Sequence, residues 1–231
     1  GGPETATLLI RGTIPANRSS FAVKGAIHHP DACFRAELEK RLKGKGITLD
    51  KQKIEDGERH ALFTLVSPFL KDIVYYTNKN SINLFAEALG ELISPTDYAR
   101  TVKAELSGMG IDSCGITLKD ASGLSPANAV PAEVFTDLLI WAKGHLSDVF
   151  VASLPQGNVD WGLRIYSDHP ILRGNILAKT GSMSGVRALA GYLKTQRGET
   201  LAFTILVNNY VGDPVKVQEI IRDLLKEFAD K

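Results

Sequence analysis

The hydrophobic period of this chain switches from helical to two in its last third and back to helical at its end, and that order leaves few folds open. Ile176-Leu177-Ala178-Lys179-Thr180, Val186-Arg187-Ala188-Leu189-Ala190-Gly191-Tyr192-Leu193 and Leu201-Ala202-Phe203-Thr204-Ile205-Leu206-Val207 read as three consecutive strands. Their connections, Gly181 to Gly185 and Thr195 to Glu199, are short and turn-rich, so an antiparallel meander is the economical topology. A closing amphipathic helix, about Pro214 to Phe228, turns Val217, Ile220, Ile221, Leu224 and Leu225 inward.

Upstream of the sheet the pattern is helical. Ser67-Pro68 reads as a cap and a proline opening a helix through Leu70, Ile73 and Val74. A second helix runs from about Ser81 to Ile93 with Leu84, Phe85, Ala88, Leu89 and Leu92 inward. Ser94-Pro95 precedes a third, carrying Tyr98, Val102 and Leu106 and ending at Gly108-Met109-Gly110. Pro131 opens a fourth with Val134, Phe135, Leu138, Leu139 and Trp141 on its core face. The first sixty residues differ. Thr7 to Arg11 and Ser20 to Ile27 are short β-rich runs around Pro15, Asn17 and Ser19; a helix with Ala32, Phe34, Leu38 and Leu42 follows and stops at Gly44 and Gly46. Residues 48 to 60 form a polar connector. The expected organisation is therefore two parts, 1–60 and 61–231, of mixed α/β (α+β) class, with a helical cluster packed on an antiparallel sheet.

Charge names no partner. Lys and Arg number 27 against 26 Asp and Glu, a net charge of +1, and no basic block marks a nucleic-acid surface. Every apolar run is broken by charge before the 18 or so residues a bilayer span needs. Cys33 and Cys114 are too few for a disulfide framework; they read as two small buried apolar residues, with pairing in an oxidising compartment left open. His28 and His29 are adjacent in an extended segment and point opposite ways, so no metal site is expected, and no cofactor either. Gly1-Gly2-Pro3-Glu4-Thr5 is not an export signal; the chain is either cytoplasmic or begins after the true start, and the paired glycines favour the second.

The residues that carry chemistry are Ser81-Ile82-Asn83, where Thr77-Asn78-Lys79-Asn80 hands over to a helix, and Lys179-Thr180-Gly181, at the end of a strand. Alone, the first is a helix cap and the second a strand end and turn. Together, their order resembles that of the second and third motifs of the active-site serine penicillin-binding proteins and β-lactamases. Longer stretches sharpen the likeness. Tyr76-Thr77-Asn78-Lys79-Asn80-Ser81-Ile82-Asn83-Leu84-Phe85-Ala86-Glu87 resembles the signature of the D-alanyl-D-alanine carboxypeptidase/endopeptidase family, the class C low-molecular-mass penicillin-binding proteins. Asp120-Ala121-Ser122-Gly123-Leu124-Ser125, with Asn128 after it, is similar to that family's Asp-Gly-Ser-Gly-Leu-Ser segment, with Ala121 for the usual Gly. Ala178 to Tyr192 resembles its third-motif strand and the strand returning beside it.

The resemblance implies a penicillin-binding/β-lactamase-like fold in residues 61–231, with 1–60 the tail of an inserted β-rich accessory domain. It also implies roles. Lys179 supplies positive charge beside Ser81, Thr180 holds the terminal D-Ala carboxylate, and Ser81 relays a proton to the leaving amine. Asn83 holds a peptide carbonyl, and the N–H of Ser182, beyond Gly181, is half of an oxyanion hole. One motif is missing: no serine has lysine three positions on. Ser20 to Lys24 and Ser67 to Lys71 are one residue too long, Ser184 meets Arg187, and Thr48 to Lys51 has threonine in a polar connector. This stretch of chain thus holds no nucleophile and is expected to be inactive alone. The implied partners are peptidoglycan stem peptides and β-lactams, and the implied place is extracytoplasmic. Rival readings are a β-lactamase or esterase on the same fold, and a non-catalytic peptidoglycan-binding or assembly module.

Overall fold

The computed structural model describes residues 12–14, 16–17, 20–22, 27, 29–48, 61, 63–146 and 148–230. The chain divides into two units, Gly1–Thr64 and Leu65–Lys231. In the first, helix α1 spans Pro30–Gly44, with Pro30 at the start of its first turn and Gly46 at φ +76° just beyond its end. The expected strand at 7–11 lies outside the described residues, and the described parts of the second, 20–22 and 27, are irregular backbone. Phe34 and Leu38, expected on a buried stripe, are exposed. Cys33 is exposed as well, and so is Cys114 in the second unit; both are free, which overturns the expectation of two buried apolar residues.

The second unit is built on the meander. Strands β1 (Ile176–Met183), β2 (Val186–Lys194) and β3 (Thr200–Asn208) pair antiparallel in the order β1-β2-β3, with Met183 opposite Val186 at the first hairpin. Because strand side chains alternate, the sheet has two faces and each takes a helical layer. Ile176, Ala178, Leu189 and Leu193 pack with Ile221, Leu225 and Ala229 of α8 (Pro214–Ala229) and with Leu163, Tyr166 and Leu172 of the segment before β1. On the other face, Tyr192 packs with Leu154 and with Leu139 of α5 (Ala132–His145), and its hydroxyl donates to the Leu139 carbonyl at 2.7 Å. Of the α8 residues expected inward, Ile221 and Leu225 are buried, whereas Ile220 and Leu224 are exposed.

The helical cluster comprises α2 (Leu70–Asn80), α3 (Asn83–Ile93) and α4 (Tyr98–Gly108), and the short helices α6 (Asp148–Ser153) and α7 (Arg164–Ser167) follow α5. Helix α2 starts two residues after Ser67-Pro68, with its first bonds on the Phe69 carbonyl and no side-chain cap. Helix α3 departs furthest from expectation. Its one buried residue is Gly90, while Leu84 is 74% and Leu92 79% exposed, and Phe85 and Ala88 are also exposed. Among the described residues, no helix is long and apolar enough to cross a membrane.

Candidate active site

Three elements bring the sequence motifs together. The first is the α2–α3 junction. Ser81 is not at a helix start: it closes α2 in the left-handed region, φ 52° and ψ 51°, with its N–H on the Thr77 carbonyl, and α3 begins at Asn83. Thr77–Asn80, expected as a loop, is the last turn of α2. Its polar character serves tertiary bonds: the Asn78 side-chain amide donates to the buried Ser153 hydroxyl at 2.8 Å, and Lys79 Nζ donates to the Leu154 carbonyl at 2.7 Å and to Asp160 at 3.0 Å. A residue other than glycine in this backbone region is uncommon and costs about 1 kcal/mol or more, so its neighbours must hold it there.

The second element is β1. Lys179 lies on the sheet face opposite the α8 layer, by alternation from buried Ala178, and its Nζ donates to the Ser81 hydroxyl at 2.6 Å and to its neighbour's carbonyl, on Thr180, at 2.8 Å. Burial without a carboxylate partner lowers the Lys179 pKa from its ordinary 10.5. Strand β1 is at the sheet edge. On that edge the Ala178 N–H donates to the Pro155 carbonyl and the Gly157 N–H to the Ile176 carbonyl, both at 2.9 Å. The two-residue repeat of the ladder then turns the N–H groups of Thr180 and Ser182 to the same edge, beyond the last bond to the 155–157 segment. Ser182 is exposed there. Gly181 lies between them against β2, where an added Cβ would meet Ala188 Cβ at 3.2 Å.

The third element is the loop after α4. Asp120 folds it by accepting from the N–H of Gly123 at 2.8 Å, the N–H of Ser125 at 2.5 Å and the Asn128 side chain at 2.8 Å. Glu87 of α3 accepts from the N–H groups of Ala121 and Ser122 at 3.3 and 3.0 Å, which ties the loop to the helix that Asn83 opens. Positive φ falls at Gly123, +76°, and not at Ala121, so alanine is tolerated at that position. Its Cβ lies against Gly90, where a second Cβ would come within 2.6 Å. Burial, and then the Glu87 and Asp120 charges, raise the Tyr98 phenol above its ordinary pKa. The structure thus joins Ser81 to Lys179 directly and sets Asn83, Thr180, Gly181 and Ser182 on the same two elements.

Residues 3–231 match the model of the D-Ala-D-Ala carboxypeptidase 3 (S13) family. The chain belongs to that family. It is 30% identical to the D-alanyl-D-alanine carboxypeptidase of Actinomadura sp. (strain R39) over 97% of its own length, and 29% identical to the D-alanyl-D-alanine carboxypeptidase DacB of Haemophilus influenzae over 88%. It spans 46% of the length of each of these relatives. The crystal structure of penicillin-binding protein 4 from H. influenzae, complexed with a novel β-lactam, superposes with a TM-score of 0.79 at 28% identity, covering 91% of this chain and 54% of that one. The fold of this S13 chain is accordingly the penicillin-binding/β-lactamase-like one.

Three residues around this S13 site are given no role by the sequence. Glu87 and Lys79 lie inside the stretch that carries the resemblance, yet nothing in the sequence says what they bond. Asp160 lies in a Gly- and Asn-containing turn that reads as an ordinary loop.

Proposed function

We propose that this chain supplies the second and third motifs of a serine-type D-Ala-D-Ala carboxypeptidase/endopeptidase that acts outside the cytoplasm on peptidoglycan stem peptides and is acylated by β-lactams. The observation that carries it is the 2.6 Å contact between Lys179 Nζ and the Ser81 hydroxyl, made across 98 residues of sequence by a helix junction and a sheet edge. A hydroxyl beside an ammonium is a proton relay with its charge partner in place. Around it, the open β1 edge suits an extended peptide that adds to the sheet as a further strand. Thr180 would meet the terminal carboxylate, the Ser182 N–H would face the oxyanion, and Asn83 would reach a peptide carbonyl. The attacking serine, in Ser-x-x-Lys, comes from outside these 231 residues.

The test uses the full-length protein containing both this sequence and that motif. Labelled penicillin should attach covalently, and Ser81→Ala and Lys179→Ala should each slow acylation by orders of magnitude. Near-normal rates in either variant would refute the roles assigned to these side chains.

A further inference from the structure

The turn that places Ser81 is held by a brace to which the sequence motifs assign no role. Lys79, two residues before Ser81, is the last cation of α2, and its side chain is buried to 13% exposure against Asp160 at 22%. It donates to Asp160 Oδ2 at 3.0 Å and to the Leu154 carbonyl at 2.7 Å, and it lies 5.6 Å from the centre of the Tyr75 ring. Beside it, Asn78 donates to the fully buried Ser153 hydroxyl at 2.8 Å. The same Asp160 oxygen accepts the Gln156 N–H at 2.7 Å. The segment so gathered, residues 153–163, is also the one bonded to the outer edge of β1, through the Pro155 carbonyl to the Ala178 N–H and through the Gly157 N–H to the Ile176 carbonyl. At its far end Gly162 lies against Thr180, whose Oγ1 is 3.6 Å from where a glycine Cβ would be.

One continuous path therefore runs from Ser81 through Lys79, Asp160 and the 153–163 segment to Lys179 and Thr180. Its ends are the two groups that must meet at 2.6 Å. Ser81 holds a left-handed backbone that a serine does not adopt unaided, so its hydroxyl position depends on what anchors the turn. We propose that Lys79 and Asp160 are positioning residues for the reaction: their half-buried ion pair sets the separation of Ser81 from the Lys179-Thr180-Gly181 strand. This rests on the function proposed above and adds to it two residues that touch neither substrate nor the reacting atoms.

A displacement of about 1 Å at a reacting group costs on the order of 100-fold in rate. In the full-length protein, Lys79→Met should lower the acylation rate constant for labelled penicillin on the order of ten- to a hundredfold, while the dissociation constant of the non-covalent complex changes little. Asp160→Asn, which keeps the size of the side chain, should show the same loss in smaller measure. The deciding measurement is the cycle with Ser81→Ala. If the brace acts through Ser81, Lys79→Met changes the slow acylation that survives Ser81→Ala by less than about twofold. An equal loss with and without Ser81, or no loss in either variant that melts cooperatively near the parent, overturns the proposal. Failure of the parent protein to label at all overturns the functional reading itself, and is distinguished from those outcomes by the parent control.

Discussion

At the scale of single residues, the informative departure from expectation is Ser81. Ser-x-Asn before an apolar run is the ordinary signature of a helix cap, yet Ser81 closes one helix in the left-handed region before the next begins at Asn83. Lys179 departs in a different way: half-buried and without a carboxylate, it loses its proton below the usual 10.5. The sign of the consequence follows from its role. On the proposed function, a charged Lys179 is the form that supports the Ser81 relay, so activity would be present while it is protonated and lost as pH rises through its folded-state pKa. Acylation by labelled penicillin in the full-length protein should therefore fall on the alkaline side before pH 10.5, and a rate flat through that value would refute the assignment. For folding the same shift acts oppositely. The burial penalty on the ammonium weakens the fold below the lowered pKa and fades as pH rises toward the unfolded value.

At the scale of elements, the β1–β2 hairpin decides whether the third motif is presented. Gly191 faces Ala178 across this pair, and an added Cβ would fall inside the Leu177 carbonyl and within 2.5 Å of Ala178 Cα. Neither contact is with a flexible side chain, so the backbone of β1 must shift. Gly191→Ala is expected to destabilise by about 3 kcal/mol and to lower acylation with it, read as a fall in melting temperature together with slower labelling. An unchanged melt would mean the hairpin tolerates a wider spacing. The elements also show where periodicity is sufficient. The three strands and α4, α5 and α8 are legible within a few residues, because each buries a stripe against a neighbour in this chain. Helix α3 has the apolar residues of a core helix and exposes most of them, since periodicity reports that a face is apolar and not what covers it.

At the scale of the whole molecule, that exposed face and the missing Ser-x-x-Lys agree. Leu84, Leu92 and the run Phe63, Leu65, Val66, Phe69 and Leu70 are all exposed. On the proposed function, the remainder of the catalytic domain covers them and brings the nucleophile to Ser81. These 231 residues alone should then take up no labelled penicillin covalently, whereas the full-length protein should; an adduct on this chain alone would sink the proposal. The reading of residues 1–60 as the tail of an inserted accessory domain belongs to the same proposal, and α1, with Phe34 and Leu38 exposed, suits a unit that is completed by further chain.

What the sequence determined by itself was the order of the longer helices and strands from Leu70 onward, the antiparallel meander and the two motifs that announce the family, because these depend on local period, turn chemistry and side-chain identity. Tertiary structure decided the rest: that Ser81 turns left-handed between two helices, that Lys179 reaches it at 2.6 Å, that Glu87 holds the Asp120 loop and that Lys79 and Asp160 form a half-buried pair. The bonds among these join residues 34 to 98 positions apart. No local pattern encodes such contacts, since each partner's ordinary preference is met equally well by water until the fold removes it.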